Sequence, residues 1–397
     1  MKKYLVNALY YSLFSILLIA CTENPDPTSS NNNFKGTVAI TNGYLIDGSG
    51  SDPIPNSTVI IQDGLIKSIG SSSSLEIPPE AEIIDLKGSY ILPGLMNTHV
   101  HSGYIENNLK VWVNSGVTTV RDIGNLTSSP EEGFAIKEML LSSNKNARLV
   151  AAGPLVTTVG GYGNYSVTSS NDAEQKVNRL IDAGADLIKI AIEDNLQGRT
   201  WPMLSMDEIQ RICQTAHNRN RRVAAHISRS KHLGMAIEGG VDDVVHMVID
   251  YLPDSLITLM IEKNIYWVPT LELWKGVSER FGLNWIATAK NNLIRFVQAG
   301  GKVALGTDYD GYTTPFDLGM TITEIRLMEE AGMSPMQIII AGTKNAALVC
   351  NLENELGTIE PGKIADITIV YDNPFEDLES LLNVQIVIHN GEIITDQ

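Results

Sequence analysis

Cysteine and basic side chains are scarce in this chain of 397 residues. The three cysteines, Cys21, Cys213 and Cys350, form no CxxC pair, which argues against a thiolate zinc site and a redox-active dithiol. Only 29 lysines and arginines stand against 46 acidic residues, so the formal net charge is -17. Such a charge argues against a nucleic acid or an anionic membrane surface as a partner. A hydrophobic content of 43% is still enough for a large buried core in one or two domains.

The N-terminus has the three parts of a secretory signal peptide. A short basic start is followed by an uncharged apolar run over residues 4–20, and the chain turns polar directly after Cys21. This run is short for a full bilayer crossing. Leu18-Ile19-Ala20-Cys21 resembles a bacterial lipobox, which implies that the Cys21 thiol is acylated and that this lipid anchor holds the protein at a membrane of the bacterial cell envelope. Residues 1–20 would then be removed; a retained membrane anchor and plain secretion are the alternatives.

Both ends of the remaining chain have the pattern of short β-strands. Apolar β-branched runs, such as residues 58–61 and 384–388, alternate with Asn-Gly and Asp-Gly turn dipeptides. We therefore predict one small β-sandwich domain built from residues 36–92 and 357–397. Residues 21–35, which are rich in Asn, Ser and Pro, are predicted to be a flexible tether.

Residues 93–356 alternate apolar strand-like runs with helix-like stretches, which is typical of βα units and a parallel sheet. Eight such units in this length favour an α/β fold with a (β/α)8 TIM barrel. A doubly wound sheet would alternate in the same way, but no GxGxxG motif follows any of the strands. The helix expected over residues 207–220 is preceded by Ser205 and Glu208 at capping-box spacing. The predicted strands are 90–95, 117–120, 148–152, 187–192, 222–225, 243–245, 265–268 and 303–305.

Histidine is also rare, and four of the seven histidines lie at or just beyond the carboxyl end of a predicted strand. In a (β/α)8 barrel this end carries the active site. His99 and His101 form an HxH motif, and an extended backbone directs both rings to the same side. Each such residue alone has a purely structural explanation, and it is their common position that favours a metal site. The full set is His99, His101, Lys189, His226, His246 and Asp308.

Three motifs resemble those of the amidohydrolase superfamily. Residues 93–101 read PGLMNTHVH and are similar to its PGLID-HxH opening, and Gly306-Thr307-Asp308 is similar to its closing GTD. Residues 356–366 read LGTIEPGKIAD and resemble the LGSIEPGKLADL segment that returns the chain to the sandwich. The likeness is greatest to the imidazolonepropionase-like and prolidase-like branch, and it extends from about residue 36 to 397.

The resemblance implies two divalent metal ions and a role for each residue of the set. His99, His101 and Asp308 would hold the more buried ion, and His226 and His246 the more exposed one. Lys189 would bridge both ions, which requires a carbamate formed from CO2 because a free ammonium cannot ligate a cation. Imidazole and carboxylate suit Zn2+, with Mn2+, Fe2+ and Co2+ left open by ligand type. The metal-activated water would hydrolyse a C–N bond of a small amide, such as a dipeptide or an N-acyl amino acid, with Asp308 as the proton carrier.

Two departures from the prolidase-like pattern fall on substrate contacts. Tyr162 stands where these relatives often carry the His of a TGGHG loop. The three residues after His226 are Ile227, Ser228 and Arg229, where these relatives typically carry His-Ala-Tyr. We hypothesise that the Tyr162 hydroxyl donates a hydrogen bond to the substrate. Arg229 is a candidate carboxylate clamp, since a guanidinium suits that geometry.

Two other functions are kept open beside the binuclear hydrolase. A deaminase of this superfamily usually employs one metal ion and no bridging lysine, so Lys189 counts against it. A catalytically inactive binding lipoprotein would be expected to have lost ligands, yet the set of six is complete. Association into a homo-oligomer is also left open.

Overall fold

The computed structural model describes residues 36–396 except 125, 127, 197 and 311–315. The signal peptide, the lipid anchor at Cys21 and the tether lie outside the described residues and stay predictions. Within the described part of the chain, no helix combines the length and the apolar character needed to cross a membrane.

The elements alternate between strands and helices through the middle of the chain. The strands are β1 (Thr37–Leu45), β2 (Ile54–Gln62), β3 (Leu65–Ser71), β4 (Glu82–Asp85), β5 (Tyr90–Pro93), β6 (Leu95–Val100), β7 (Val117–Asp122), β8 (Arg148–Ala151), β9 (Val156–Thr158), β10 (Tyr165–Val167), β11 (Leu187–Ala191), β12 (Asn195–Leu196), β13 (Arg199–Thr200), β14 (Arg222–His226), β15 (Asp243–Val245), β16 (Tyr266–Val268), β17 (Ile367–Val370), β18 (Val384–His389) and β19 (Glu392–Asp396). The helices are α1 (Glu106–Asn114), α2 (Pro130–Leu141), α3 (Ser170–Ala183), α4 (Met206–Asn218), α5 (Ser230–Gly239), α6 (Asp254–Glu262), α7 (Leu271–Phe281), α8 (Trp285–Gln298), α9 (Ile322–Glu330), α10 (Pro335–Gly342) and α11 (Lys344–Val349), with a 3₁₀ turn over Leu378–Leu382. Ser205 and Glu208 form the predicted capping box at the start of α4.

Strands from the two ends of the chain join in one sheet, whereas the predicted division into a β-sandwich domain and a barrel stays a prediction. Their order is β19-β18-β17-β5-β1-β2-β3, with β4 added beside β1. The two ends join where β17 pairs antiparallel with β5. Among the described residues these strands make a single continuous sheet of eight strands, and a cluster of buried isoleucines, valines and leucines packs against it. Register shifts in β1, β2, β17 and β18 interrupt the regular ladder, and such irregularities bend a sheet.

The middle of the chain contains strands that pair in parallel, as the strands of βα units do. They form a sheet of β6-β7-β8 and a second of β10-β9-β11-β14-β15-β16. The segment around residues 303–309 lies between them, because Val303 bridges parallel to Trp267 and Tyr309 bridges parallel to Val100. On the other side, the Asp186 amide donates to the Ala151 carbonyl at 3.0 Å, which links the start of β11 to β8.

Side chains from nearly every parallel strand meet in one buried cluster. It includes Met96, Ile123, Val150, Leu187, Ala224, Val245, Val268 and Ala304. A flat sheet would hold its outer strands far apart, and strands that share one buried cluster are typical of a twisted, curved sheet. Arg121 fills the polar part of this interior, where it makes a bidentate ion pair with Asp243 at 2.8 and 3.1 Å and donates to the Thr98 carbonyl at 2.7 Å.

Two strand predictions need correction. The run 90–95 is not the first parallel strand: it divides at Gly94 into β5, which belongs to the terminal sheet, and β6, which includes His99. Gly94 is required at this crossing, since an added Cβ would lie 2.3 Å from the Thr118 hydroxyl. The run 303–305 forms isolated bridges instead of a regular strand, because its hydrogen bonds are shared between two neighbouring segments.

Candidate active site

The six residues of the predicted set line one cavity. His99 lies within β6 and Lys189 within β11, while His226 is the last residue of β14. His246 and Asp308 occupy the left-handed region of backbone space, with φ of 72° and 70°. Non-glycine residues held in this region cost free energy and are often found at functional sites. The residues that the strand-end rule selected thus share one cavity, and their role as metal ligands stays a prediction.

His99, His101 and Asp308 form the most closely packed part of the site. One Asp308 oxygen, Oδ1, lies 2.9 Å from His99 Nε2 and 2.8 Å from His101 Nε2. The two imidazole nitrogens are themselves 3.3 Å apart. His101 Nδ1 faces the Gly124 carbonyl at 3.2 Å, which orients the ring with its Nε2 toward Asp308.

His246 and His226 continue the cluster from Asp308 across the cavity. The ring centroid of His246 is 4.9 Å from that of His99 and 4.7 Å from that of His226. His246 Nδ1 lies 2.9 Å from the hydroxyl of Thr270, itself a β-branched residue with φ of 49°. The indole Nε1 of Trp267 donates to the His246 carbonyl at 2.8 Å. These contacts hold the unusual backbone of His246 in place.

The lysine of the cavity, Lys189, is buried, with only 2% of its surface exposed. Burial lowers the pKa of its ammonium group to about 7, although attraction to Asp308 opposes the shift. Lys189 forms neither a hydrogen bond nor an ion pair with any residue that the structure describes. Because the pKa of this group is about 7, a substantial fraction of the amine is neutral near neutral pH.

Burial also sets the charge state of the imidazoles. It lowers the pKa of His246 and of His99 well below the ordinary value, and that of His226 to a smaller extent. His101 is the exception: burial lowers its pKa, but attraction to Asp308 outweighs burial and the net pKa is raised. Burial would raise the pKa of Asp308, yet the surrounding imidazoles hold it well below its usual range. The site thus combines a carboxylate with largely neutral imidazoles.

This donor set fits a divalent metal ion. Donor atoms of His99, His246 and Asp308 lie within 4.8 Å of one another. Asp308 Oδ1 and His99 Nδ1 are buried; within the described residues His99 Nδ1 has no hydrogen-bond partner, and the two imidazole nitrogens near Asp308 Oδ1 do not have hydrogen-bond geometry to it. Buried polar atoms without partners are costly, and a cation would satisfy the carboxylate. Neutral imidazole and carboxylate are the ligand forms that metal binding requires.

A second buried network lies behind His226 and was missed by the sequence analysis. Glu193 Oε2 is 3.4 Å from His226 Nε2 and 3.7 Å from His232 Nδ1, and His232 Nε2 is 3.0 Å from Asp194. Burial raises the pKa of Glu193, but contact with His226 and the Ser228 hydroxyl outweighs it and lowers the pKa to about 2. Glu193 lies two residues beyond β11, so the strand-end rule applied to carboxylates would have found it.

The two predicted substrate contacts differ in position. Tyr162 lines the cavity; its ring centroid is 4.7 Å from that of His226, and it meets Trp201 edge-to-face at 5.6 Å. Arg229 is the residue before α5 and is not among the side chains that line the cavity. The roles proposed for both stay predictions. The cavity itself encloses about 830 Å³, and residues of α7 and the start of α8 form part of its wall.

Comparison with known proteins places this site in a family. The amidohydrolase family model matches residues 90–394. The chain is 24% identical to an ochratoxinase of Aspergillus niger over 413 aligned positions, which cover 87% of this chain and 84% of that protein. It is 26% identical to an imidazolonepropionase of Caldanaerobacter subterraneus subsp. tengcongensis over 372 positions, covering 80% and 85%. A crystal structure of a Xaa-Pro dipeptidase with methionine bound in the active site has a TM-score of 0.80 and 26% identity, and it covers 90% of this chain and 99% of that chain.

The chain belongs to the amidohydrolase family. It is a hydrolase of the class that acts on carbon–nitrogen bonds. The resemblance to imidazolonepropionases and prolidases, inferred from three short motifs, is confirmed. The family generally uses divalent metal ions and small-molecule substrates.

Proposed function

We propose that this protein is a metal-dependent amidohydrolase that cleaves a C–N bond of a small amide, such as a dipeptide or an N-acyl amino acid. The observation that supports it most is the convergence of four imidazoles, one lysine and one carboxylate on a single cavity. The proposal includes a closed (β/α)8 barrel as the scaffold. The shared interior cluster and the parallel bridges at Val303 and Tyr309 support that closure.

The proposed ligands divide between two ions, with Zn2+ as the favoured metal. His99, His101 and Asp308 would hold the more buried ion, which agrees with the 2.8–2.9 Å contacts between them. His226 and His246 would hold the more exposed ion. Lys189 would bridge both after its neutral amine attacks CO2, a step that forms one N–C bond and releases one proton.

When bound, such ions supply a water molecule of lowered pKa and a positive charge against the substrate carbonyl oxygen. Asp308 is proposed to take a proton from the water and pass it to the leaving nitrogen. The C–N bond then breaks as the C–O bond forms, and the amine departs with the proton. Asp308 is ionised in this site, which is the form that can accept a proton. The Tyr162 hydroxyl is a candidate donor to the substrate from the cavity wall.

Metal analysis combined with a substrate panel tests this proposal. We expect two metal equivalents per purified chain, and hydrolysis of at least one dipeptide or N-acyl amino acid that stops on chelation and returns with Zn2+. One equivalent together with ammonia release from an aminated heterocycle would favour the deaminase alternative. A chain that binds no metal would leave only a binding role.

Glu193→Ala is expected to weaken the binding of one of the two metal equivalents about 10–100-fold, the range for partners that orient a ligating histidine. The physical reason is that a carboxylate at one ring nitrogen of His226 fixes the tautomer that leaves the other nitrogen for a cation. Competition with a chromophoric chelator measures this affinity. Glu193→Gln, which keeps the shape and an acceptor oxygen, should lose less. Unchanged affinity in both variants would show that Glu193 does not position His226.

A further inference from the structure

One part of the cavity wall is aromatic and apolar, and nothing in the proposed reaction uses it. This aromatic wall consists of Leu273, Trp274, Val277, Phe281, Leu283 and Trp285. Leu273, Val277 and Arg280 recur at helical spacing i, i+4 and i+7, so α7 presents them on one face. The wall is therefore built by α7, by Leu283 in the linker that follows it and by Trp285, the first residue of α8.

The aromatic wall begins directly beside the proposed metal ligands. The ring centroid of Trp274 is 6.1 Å from that of His246, and Trp285 packs edge-to-face on Trp274 at 5.6 Å. Trp274 is 3% exposed, and its indole Nε1 is buried without an acceptor among the residues described. A substrate held at His246 would thus place the group next to its scissile bond against an indole face.

The outer end of the wall leaves apolar surface open to solvent. Phe281 is 64% exposed and Leu283 is 37% exposed, although both line the cavity. Exposed apolar groups that continue a cavity wall are characteristic of ligand-binding surfaces, because a ligand would cover them. A volume of about 830 Å³ leaves room for an aromatic substituent beside the amide.

Arg280 supplies a positive charge at this outer end. It lines the cavity, its guanidinium lies 5.4 Å from the ring of Phe281, and within the described chain it has no ion-pair or hydrogen-bond partner. Six residues separate it from Trp274, which corresponds to about 9 Å along the axis of an α-helix. An unpaired arginine is noteworthy in a chain of net charge -17. Guanidinium groups recognise carboxylates through paired hydrogen bonds.

We propose that the aromatic wall and Arg280 form a substrate subsite for a bulky aromatic group that carries a carboxylate at its far end, away from the scissile bond. This inference rests on the proposed function for the identity of the scissile bond. It narrows the substrate class to amides with an extended aromatic acid on one side. A carboxylate bound by Arg280 would lie about 9 Å along α7 from the level of Trp274, whereas an α-carboxylate lies directly beside the amide.

Equilibrium binding to the full metal-loaded chain tests the subsite without requiring turnover. The probes are biphenyl-4-carboxylate and its neutral analogue biphenyl-4-carboxamide, measured by calorimetry. We expect the carboxylate to bind more tightly, and Arg280→Met to weaken it about tenfold while changing the carboxamide less than twofold. Trp274→Ala should weaken both probes. Lys275→Met is the matched control, since Lys275 lies on the same helix, pairs with Glu279 and does not line the cavity.

Three outcomes would overturn the subsite: equal binding of both probes, equal effects of Arg280→Met and Lys275→Met, or a carboxylate preference that survives Arg280→Met. The last would place the carboxylate on the metal ions instead. Amide hydrolysis by the same preparation is scored separately. A chain that binds the probes as expected but cleaves no amide would refute the proposed function and leave the subsite intact, and the reverse pattern would refute the subsite alone.

Discussion

Asp308→Asn is expected to lower kcat on the order of 1000-fold or more, within the range for loss of a positioned proton carrier. The amide side chain cannot accept the proton that the carboxylate takes up. Its oxygen can still ligate a cation, so most of the metal should remain bound. Steady-state kinetics together with metal analysis of the same preparation measures both quantities. Turnover within tenfold of the wild-type value would show that Asp308 is not the proton carrier.

The choice of asparagine separates chemistry from folding. Asp308 has φ of 70°, and asparagine is one of the few residues that adopts such a conformation readily. An unchanged thermal unfolding midpoint would then exclude backbone strain as the cause of the loss. Asp254→Asn is a matched control for the same chemical change, because Asp254 has a side chain 84% exposed and lies at the start of α6.

Much of the site could be predicted from the sequence because its residues follow a positional rule. Strand ends can be read from apolar runs, and parallel strands bring their carboxyl ends to one side. That rule found His226, His246 and Lys189 without any knowledge of their contacts. The rule could not show which side chains contact and orient the proposed ligands. His232, for example, is fully buried between Glu193 and Asp194, and this packing depends on how α5 lies against the end of β11.

Residues beyond the strand ends were harder to predict. The sequence gives no sign that α7 turns Trp274 toward His246, since an aromatic residue on an amphipathic helix is most often part of a core. Arg229 was considered as a carboxylate clamp beside the alternative of a helix-surface arginine, and it is Arg280, which is far from His226 in sequence, that lines the cavity. Substrate contacts depend on tertiary placement of helices, whereas the proposed metal ligands depend on strand register.

Strand boundaries show the same limit in the fold. The run 90–95 is continuous in hydrophobicity, but its two halves pair with different partners: Ile91 with Ile369 of the terminal sheet, and Leu95 with Val117 of the parallel sheet. Hydrophobic pattern cannot mark a change of sheet when both sides are buried. The glycine inside this apolar run was the one sequence signal of the change of sheet. In the structure the Gly94 amide donates to the Asp366 carbonyl at 2.8 Å, at the point where the chain passes from one sheet to the other.

Lys189→Ala is expected to reduce bound metal below two equivalents and to lower kcat/KM on the order of 1000-fold, since a ligand contributes more than the 10–100-fold typical of the partners behind it. The buried position of Lys189 means that truncation leaves a space lined by the remaining donors. Acetate or propionate is a carboxylate of suitable size to enter this space. We therefore expect millimolar short-chain acids to restore metal content and part of the activity.

Lys189→Met provides the control for that rescue. Methionine fills most of the volume of the lysine side chain and offers no anionic oxygen, so it should lose metal as alanine does but gain nothing from acetate. This contrast is specific to a bridging carboxylate, because a lysine needed only for packing would be replaced well by methionine. Two metal equivalents retained in Lys189→Met, or rescue that is equal in both variants, would remove Lys189 from the metal centre. The site would then rest on the four histidines and Asp308, and its chemistry would have to be assigned to a single ion.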